Sequence, residues 1–140
     1  MPDILVTTPK NCIALAAEEA RECIEAGGGE YFRRFSGKCC PVSLKPGVRI
    51  FYVMDGYLRG FAEVSRVANI PRWMQCDVSG RWYEPGVYAW MPADTWKWIE
   101  PLVMRGFQGY RYLVPGCGVD RAAIRVVGDW LDPMPETEGE

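Results

Sequence analysis

KPGVRIFYVMDGYLRGFAEV, residues 45–64, is the stretch on which the fold turns. Lys45-Pro46-Gly47 reads as a turn, and Val48 to Met54, VRIFYVM, as a buried strand. Asp55-Gly56 is a two-residue hairpin signal, because the tight turns that match strand twist need positive φ at their central residues. The return segment, YLRGFAEVSRV from Tyr57 to Val67, alternates Leu58, Gly60, Ala62 and Val64 against Tyr57, Arg59, Phe61 and Glu63. Gly60 and Ala62 are small where a curved wall bends or admits another backbone.

Working outward, Ile4 to Thr7 reads as a short strand ended by Thr8-Pro9. Asn11 caps a helix expected over Cys12–Ala26, with Ile13, Ala16, Ala17, Ala20, Cys23 and Ile24 on one side and Glu18, Glu19, Glu22 and Glu25 on the other. Gly27-Gly28-Gly29 stops it, since glycine takes the left-handed conformation that follows a last turn. EYFRRF, from Glu30 to Phe35, reads as a strand or irregular edge. Residues 68–86 read as a long irregular connection, of a length that often carries function. Val87 to Met91 and Trp96 to Glu100 read as strands around the turn Pro92-Ala93-Asp94, and Gly106 to Leu113 as a last strand with glycine kinks. Ala123, Ile124, Val127 and Leu131 allow a short helix over Asp120–Trp130.

These elements define an α+β chain: a small, curved, mostly antiparallel β-barrel with an N-terminal helix and room for a short C-terminal one. At 140 residues one core is expected, over residues 1–132, followed by an acidic, flexible tail over 133–140. No run of apolar residues is long enough to span a bilayer, and MPDILVTTPKN lacks the basic and apolar regions of a secretory signal. The expectation is a cytoplasmic chain without membrane partners. Its six cysteines (Cys12, Cys23, Cys39, Cys40, Cys76, Cys117) form no CxxC pair and fit reduced, mostly buried thiols.

Histidine is absent from the sequence. That removes Ser-His-Asp and Cys-His catalysis, His-ligated metals and imidazole acid–base chemistry. No metal or other cofactor is expected, and the balance leans against an enzyme. The net charge of −2 conceals an uneven spread. From Asp129 onward there are five acids and no base, whereas between Tyr31 and Arg111 there are 12 bases against 6 acids. The folded part is thus more suited to an anionic partner than the whole-chain charge suggests.

Four groups are candidate sites. Arg33 and Arg34, flanked by Tyr31, Phe32 and Phe35, can contact phosphate beside stacking rings; strand alternation sends the two arginines to opposite faces, and the plainer reading is rings in the core with solvated arginines. Trp82, Trp90, Trp96 and Trp98 are four indoles within 17 residues, too many to bury together in a small barrel. Core packing suits any one of them, while one or two are expected to line a cleft for an unpaired base. Lys38 beside Cys39-Cys40 can lower a thiol pKa, against the plainer reading of structural thiols. Arg105, Gln108 and Arg111 can read a base edge and phosphates, with flanking glycines that permit close approach. Glu63 is a weaker carboxylate candidate.

The order of helix, EYFRRF, KPGVRIFYVMDGYLRGFAEV, an aromatic strand and RGFQGYRYL resembles the PUA-like superfamily, and within it the ASCH branch, with EVE and YTH domains as relatives. The resemblance is carried by Pro46-Gly47, Ile50-Phe51-Tyr52, Gly60-Phe61-Ala62-Glu63-Val64, Trp90, Pro101, Arg105-Gly106 and Gln108-Gly109, and covers roughly residues 4–113. It implies a ligand cleft near the strand around Gln108. Some ASCH domains carry a Lys/Thr amidohydrolase motif after the helix. The matching stretch here, Gly27 to Arg34, has neither lysine nor threonine, so that activity does not carry over. The expected function is therefore a module that binds nucleic acid or a nucleotide, single-stranded RNA or a modified base, in a basic aromatic cleft. A small nucleoside-directed hydrolase or nuclease, and a protein-interaction domain using surface aromatics, are the alternatives.

Overall fold

The computed structural model describes residues 2–8, 18, 21–22, 25, 30–76, 80–129 and 132–137. Eleven strands are described: β1 (Ile4–Thr8), β2 (Glu30–Phe35), β3 (Arg49–Met54), β4 (Tyr57–Glu63), β5 (Arg66–Ile70), β6 (Met74–Gln75), β7 (Trp82–Tyr83), β8 (Gly86–Pro92), β9 (Lys97–Val103), β10 (Tyr110–Tyr112) and β11 (Val126–Asp129). They form a six-stranded sheet in the order β10-β1-β3-β4-β9-β11, a three-stranded sheet β2-β8-β5, and a separate β6–β7 hairpin. Every pairing is antiparallel except β1 with β3. No closed barrel forms among the described residues. The expected helix over Cys12–Ala26 lies largely outside them; Glu18, Arg21, Glu22 and Glu25 are described, with helical backbone.

The β3–β4 hairpin follows its sequence closely. Asp55 and Gly56 take φ of 51° and 83°, the doubly positive turn that the dipeptide encodes. The return segment differs. Its register slips between Leu58 and Gly60, so Arg59 is an extra, bulged residue and Leu58 and Phe61 face the same side. Arg59 is wholly buried; its Nε donates to the Met54 carbonyl at 2.7 Å and its guanidinium lies 5.1 Å from the Tyr57 ring. A Cβ on Gly60 would stand 2.7 Å from the Lys97 carbonyl and 2.8 Å from Trp96 Cζ2, which is why a side chain is excluded there.

One strand was expected from Tyr57 to Val67, but the chain changes sheet within it. Val64 N–H donates to Val48 of the large sheet, and Ser65 N–H donates to Trp90 of the small one. The two sheets are joined at this corner and close over a shared core. Ile4, Val6, Ile50, Tyr52, Met54, Ala62, Trp96 and Trp98 meet Phe35, Ala89 and Met91 there. The opposite face of the large sheet buries Leu5, Phe51, Val53, Leu58, Phe61 and Ile99 beneath Met104, Phe107, Leu113, Val119 and Ile124. Both faces being covered explains the unbroken apolar run of β3.

Two further expectations change. The 68–86 connection is not irregular: it contains the rest of β5, then β6 and β7. The C-terminal helix is absent; Arg121–Ala123 makes one 3-10 turn and Val126–Asp129 is a strand on β9. Val126 and Val127 are β-branched, and an open edge beside β9 offers them ladder bonds that outweigh the weak helical spacing. The chain then returns to the body, with Trp98 Nε1 donating to the Asp132 carbonyl at 3.1 Å and Arg59 Nη1 to that of Pro135 at 3.4 Å.

Candidate functional site

Along β2, alternation divides the arginines. Arg34 leaves on the outer face, where Nε and Nη2 donate to the Pro85 carbonyl at 2.9 and 2.6 Å and Glu84 lies 3.6 Å away. Arg33 points inward, across from β2 to the large sheet. Its Nη2 reaches the Thr7 carbonyl at a long 3.4 Å, and its guanidinium lies 5.9 Å from the Phe35 ring and 5.8 Å from the Tyr52 ring. Nε is buried with no hydrogen-bond partner. Among the described residues no carboxylate lies within ion-pair distance of this guanidinium.

Such a group is electrostatically unsatisfied. Burial lowers the Arg33 pKa, opposed in part by Tyr52. An arginine nevertheless stays protonated at ordinary pH, so the cost persists as a desolvated charge rather than a lost proton. Burial likewise pushes the Tyr52 hydroxyl up to about 12, with the Arg33 charge pulling the other way. Tyr52 is therefore neutral at physiological pH and supplies a ring face, not a counter-charge. Its hydroxyl contacts Met91 Sδ at 3.5 Å.

Arg33 lines a cleft of about 340 Å³ together with Thr7, Arg34, Phe35, Ser36, Cys39, Phe107, Gln108 and Gly109. Three segments far apart in the chain build it: the end of β1, the β2 exit, and the loop before β10. Thr7 joins them, since its carbonyl accepts from Arg33 and its Oγ1 accepts from Phe107 N–H at 3.1 Å. Gly109, at φ 72°, abuts the Cys39 thiol; an added Cβ would come 3.2 Å from Sγ. Gly106 packs as tightly on Thr7 Cγ2. The glycines thus draw the Gln108 loop against the β2 exit.

Of the sequence candidates, Arg33, Arg34 and Gln108 converge here. Arg111 stands behind them, its guanidinium 4.4 Å from the Phe107 ring. Lys38 and Arg105 are exposed and do not line the cleft. The tryptophans also lie elsewhere. Trp96 is core, 4.9 Å from Tyr52 and 5.4 Å from Trp98. Trp90 lies on the outer face of the small sheet under the Arg66 guanidinium, 4.0 Å above its ring. Trp82 stands exposed on the β6–β7 hairpin. Three of the four indoles expected to crowd the barrel are buried, because two sheet faces rather than one barrel interior receive them.

The cleft rings are phenylalanines. Phe107 and Thr7 carried no sequence signal: one sits in a glycine-flanked loop and the other at a strand end, and only folding brings them to Arg33. Cys39 is exposed, while burial, reinforced by Cys39, raises the Cys40 pKa. That is the reverse of what nucleophilic activation needs. Glu63 is exposed at the β4 end, and its backbone N–H donates to Thr95 Oγ1 at 3.1 Å. Among the described residues no cluster of Cys, Asp or Glu is arranged to hold a metal ion, and no helix is long and apolar enough to cross a membrane. No family model matches the chain, and no curated protein or solved structure matches it.

Proposed function

We propose that the chain is a nucleic-acid- or nucleotide-binding module of PUA-like, ASCH type, with the Arg33 cleft as its phosphate- and base-recognising site. One observation carries the reading: a half-buried guanidinium lining an open cleft, its Nε buried without a hydrogen-bond partner and no carboxylate within ion-pair distance among the described residues. A phosphate bound in the cleft would offset the desolvated charge of the guanidinium, in surroundings where charge-assisted hydrogen bonds are strong. Gln108 supplies a donor and an acceptor suited to a base edge, and Phe107 a ring face steadied by Arg111. The cleft volume suits one nucleotide rather than a duplex groove. The two sheets, joined at Val64-Ser65 and closed over one core, are compatible with a half-open barrel of the PUA-like kind.

The test is Arg33→Met, which keeps side-chain length and apolar packing but removes the charge. Binding of a mixed single-stranded RNA pool, followed by fluorescence anisotropy, is expected to weaken about 10- to 100-fold, the scale of a hydrogen bond to a charged group. The salt dependence of log K should become shallower by about 0.7, one phosphate contact on a single strand. Stability should be unchanged or higher, because an unpaired buried charge is lost. Unchanged RNA affinity in the folded variant would sink the assignment.

A further inference from the structure

The β6–β7 hairpin belongs to neither sheet and is held by its own bonds. Met74 pairs with Tyr83 and Gln75 with Trp82. Cys76 N–H donates to the Arg81 carbonyl at 2.8 Å, Gly80 N–H to that of Cys76 at 2.8 Å, and Gln75 Nε2 to that of Gly80 at 3.0 Å. Its two faces differ. Met74, Cys76, Arg81 and Tyr83 are partly buried, and Tyr83 rests edge-on against Phe32 at 4.7 Å. Trp73, Gln75, Trp82 and Glu84 are exposed, the indoles by 56% and 61%. Two broad ring faces are thus open to solvent on one small ribbon.

We infer that this face is a stacking platform for unpaired bases of a single-stranded nucleic acid that continues out of the Arg33 cleft. The inference rests on the nucleic-acid reading of that cleft. Three features choose this occupant over a protein. The indoles sit diagonally across the ribbon with no ring contact between them, Gln75 and Glu84 filling the other two corners. They offer separate ring faces rather than the continuous apolar patch of a protein interface core. Arg72, itself exposed, precedes Trp73, so a cation lies beside this end of the ribbon for a backbone phosphate. The platform is also tied to the cleft: three residues beyond Trp82, roughly 10 Å of extended chain, the Pro85 carbonyl receives both hydrogen bonds from Arg34, which lines the cleft wall.

The discriminating probes are adenosine monophosphate and a single-stranded RNA of about eight nucleotides, long enough to reach from cleft to hairpin. For the exposed double variant Trp73→Ala/Trp82→Ala, octamer affinity is expected to fall about tenfold or more while the mononucleotide stays within about twofold. Trp73→Phe/Trp82→Phe, which keeps both ring faces, should recover most of the loss. Octamer affinity within about twofold of the parent chain in the alanine variant overturns the platform. If Arg33→Met still weakens both probes in that case, the cleft reading survives alone. If instead Arg33→Met changes neither probe, the cleft reading fails, and the octamer result with the tryptophan variants still decides the platform. Self-association by light scattering that disappears in the alanine variant, with octamer affinity unchanged, would make the face a protein contact and overturn the proposal.

Discussion

Arg33 and Tyr52 form an unusual pair: a cation with no counter-ion among the described residues against a ring that stays neutral. The raised Tyr52 pKa makes a stability claim whose sign is set by which form the fold prefers. Burial favours the protonated phenol, so its contribution is complete below the unfolded value of 10 and is lost as pH rises toward about 12. Over that alkaline window the stabilisation at stake is ~2–3 kcal/mol. Tyr88 is also raised, chiefly by burial, and titrates in the same direction. The comparison that isolates Tyr52 is therefore the parent chain against Tyr52→Phe. Urea unfolding in steps of pH across the window should show the steeper alkaline decline in the parent, and equal slopes would refute the assignment.

At the scale of elements, the turns were legible and the strand partners were not. Gly56 must hold φ 83° at the β3–β4 turn, and its carbonyl accepts from Met104 N–H at 3.0 Å, so the tip also anchors the chain leaving β9. A β-branched residue there is strained by both branches of its side chain. Gly56→Val is expected to lose about 1–3 kcal/mol in thermal unfolding. Gly37→Ala is the control, since its φ is not positive and nothing lies within 4 Å of the added Cβ; it should be neutral or slightly stabilising. β11 shows the converse case. Ala123, Ile124 and Val127 have spacing compatible with a helix, but the free edge of β9 pairs Val126 with Ile99 and Gly128 with Trp98. Local spacing could not reveal that an edge would be waiting.

For the whole molecule, the large sheet is the shared wall of both apolar layers. Ile4, Ile50 and Ala62 face one layer, and Leu5, Phe51 and Phe61 face the other, on the same three strands. Neither layer can dissolve while its wall remains intact, and so the chain should unfold as one unit. Among the described residues Trp96 and Trp98 belong to one layer and no indole to the other. Tryptophan fluorescence therefore follows the first layer and the outer indoles, and far-ultraviolet dichroism follows all the sheets. Their urea midpoints are expected to coincide; two separated transitions would show that the layers are independent.

By itself the sequence determined the β-rich class, the Pro46-Gly47 and Asp55-Gly56 turns, the buried strand between them, and the opposed directions of Arg33 and Arg34. Each follows from information local to a few residues: φ demands at a turn, or apolar runs and alternation along a strand. Only the tertiary structure decided that Gln108 would meet Arg33 while Trp96 would not, that Arg59 would bulge inward, and that the chain would change sheets at Val64-Ser65. Those outcomes depend on which strand edges pair and how tightly Gly106 and Gly109 let one loop approach another. No local pattern encodes these long-range choices. The charge of Arg33 was plain in the sequence; that its Nε would be buried without a hydrogen-bond partner was a property of the fold alone.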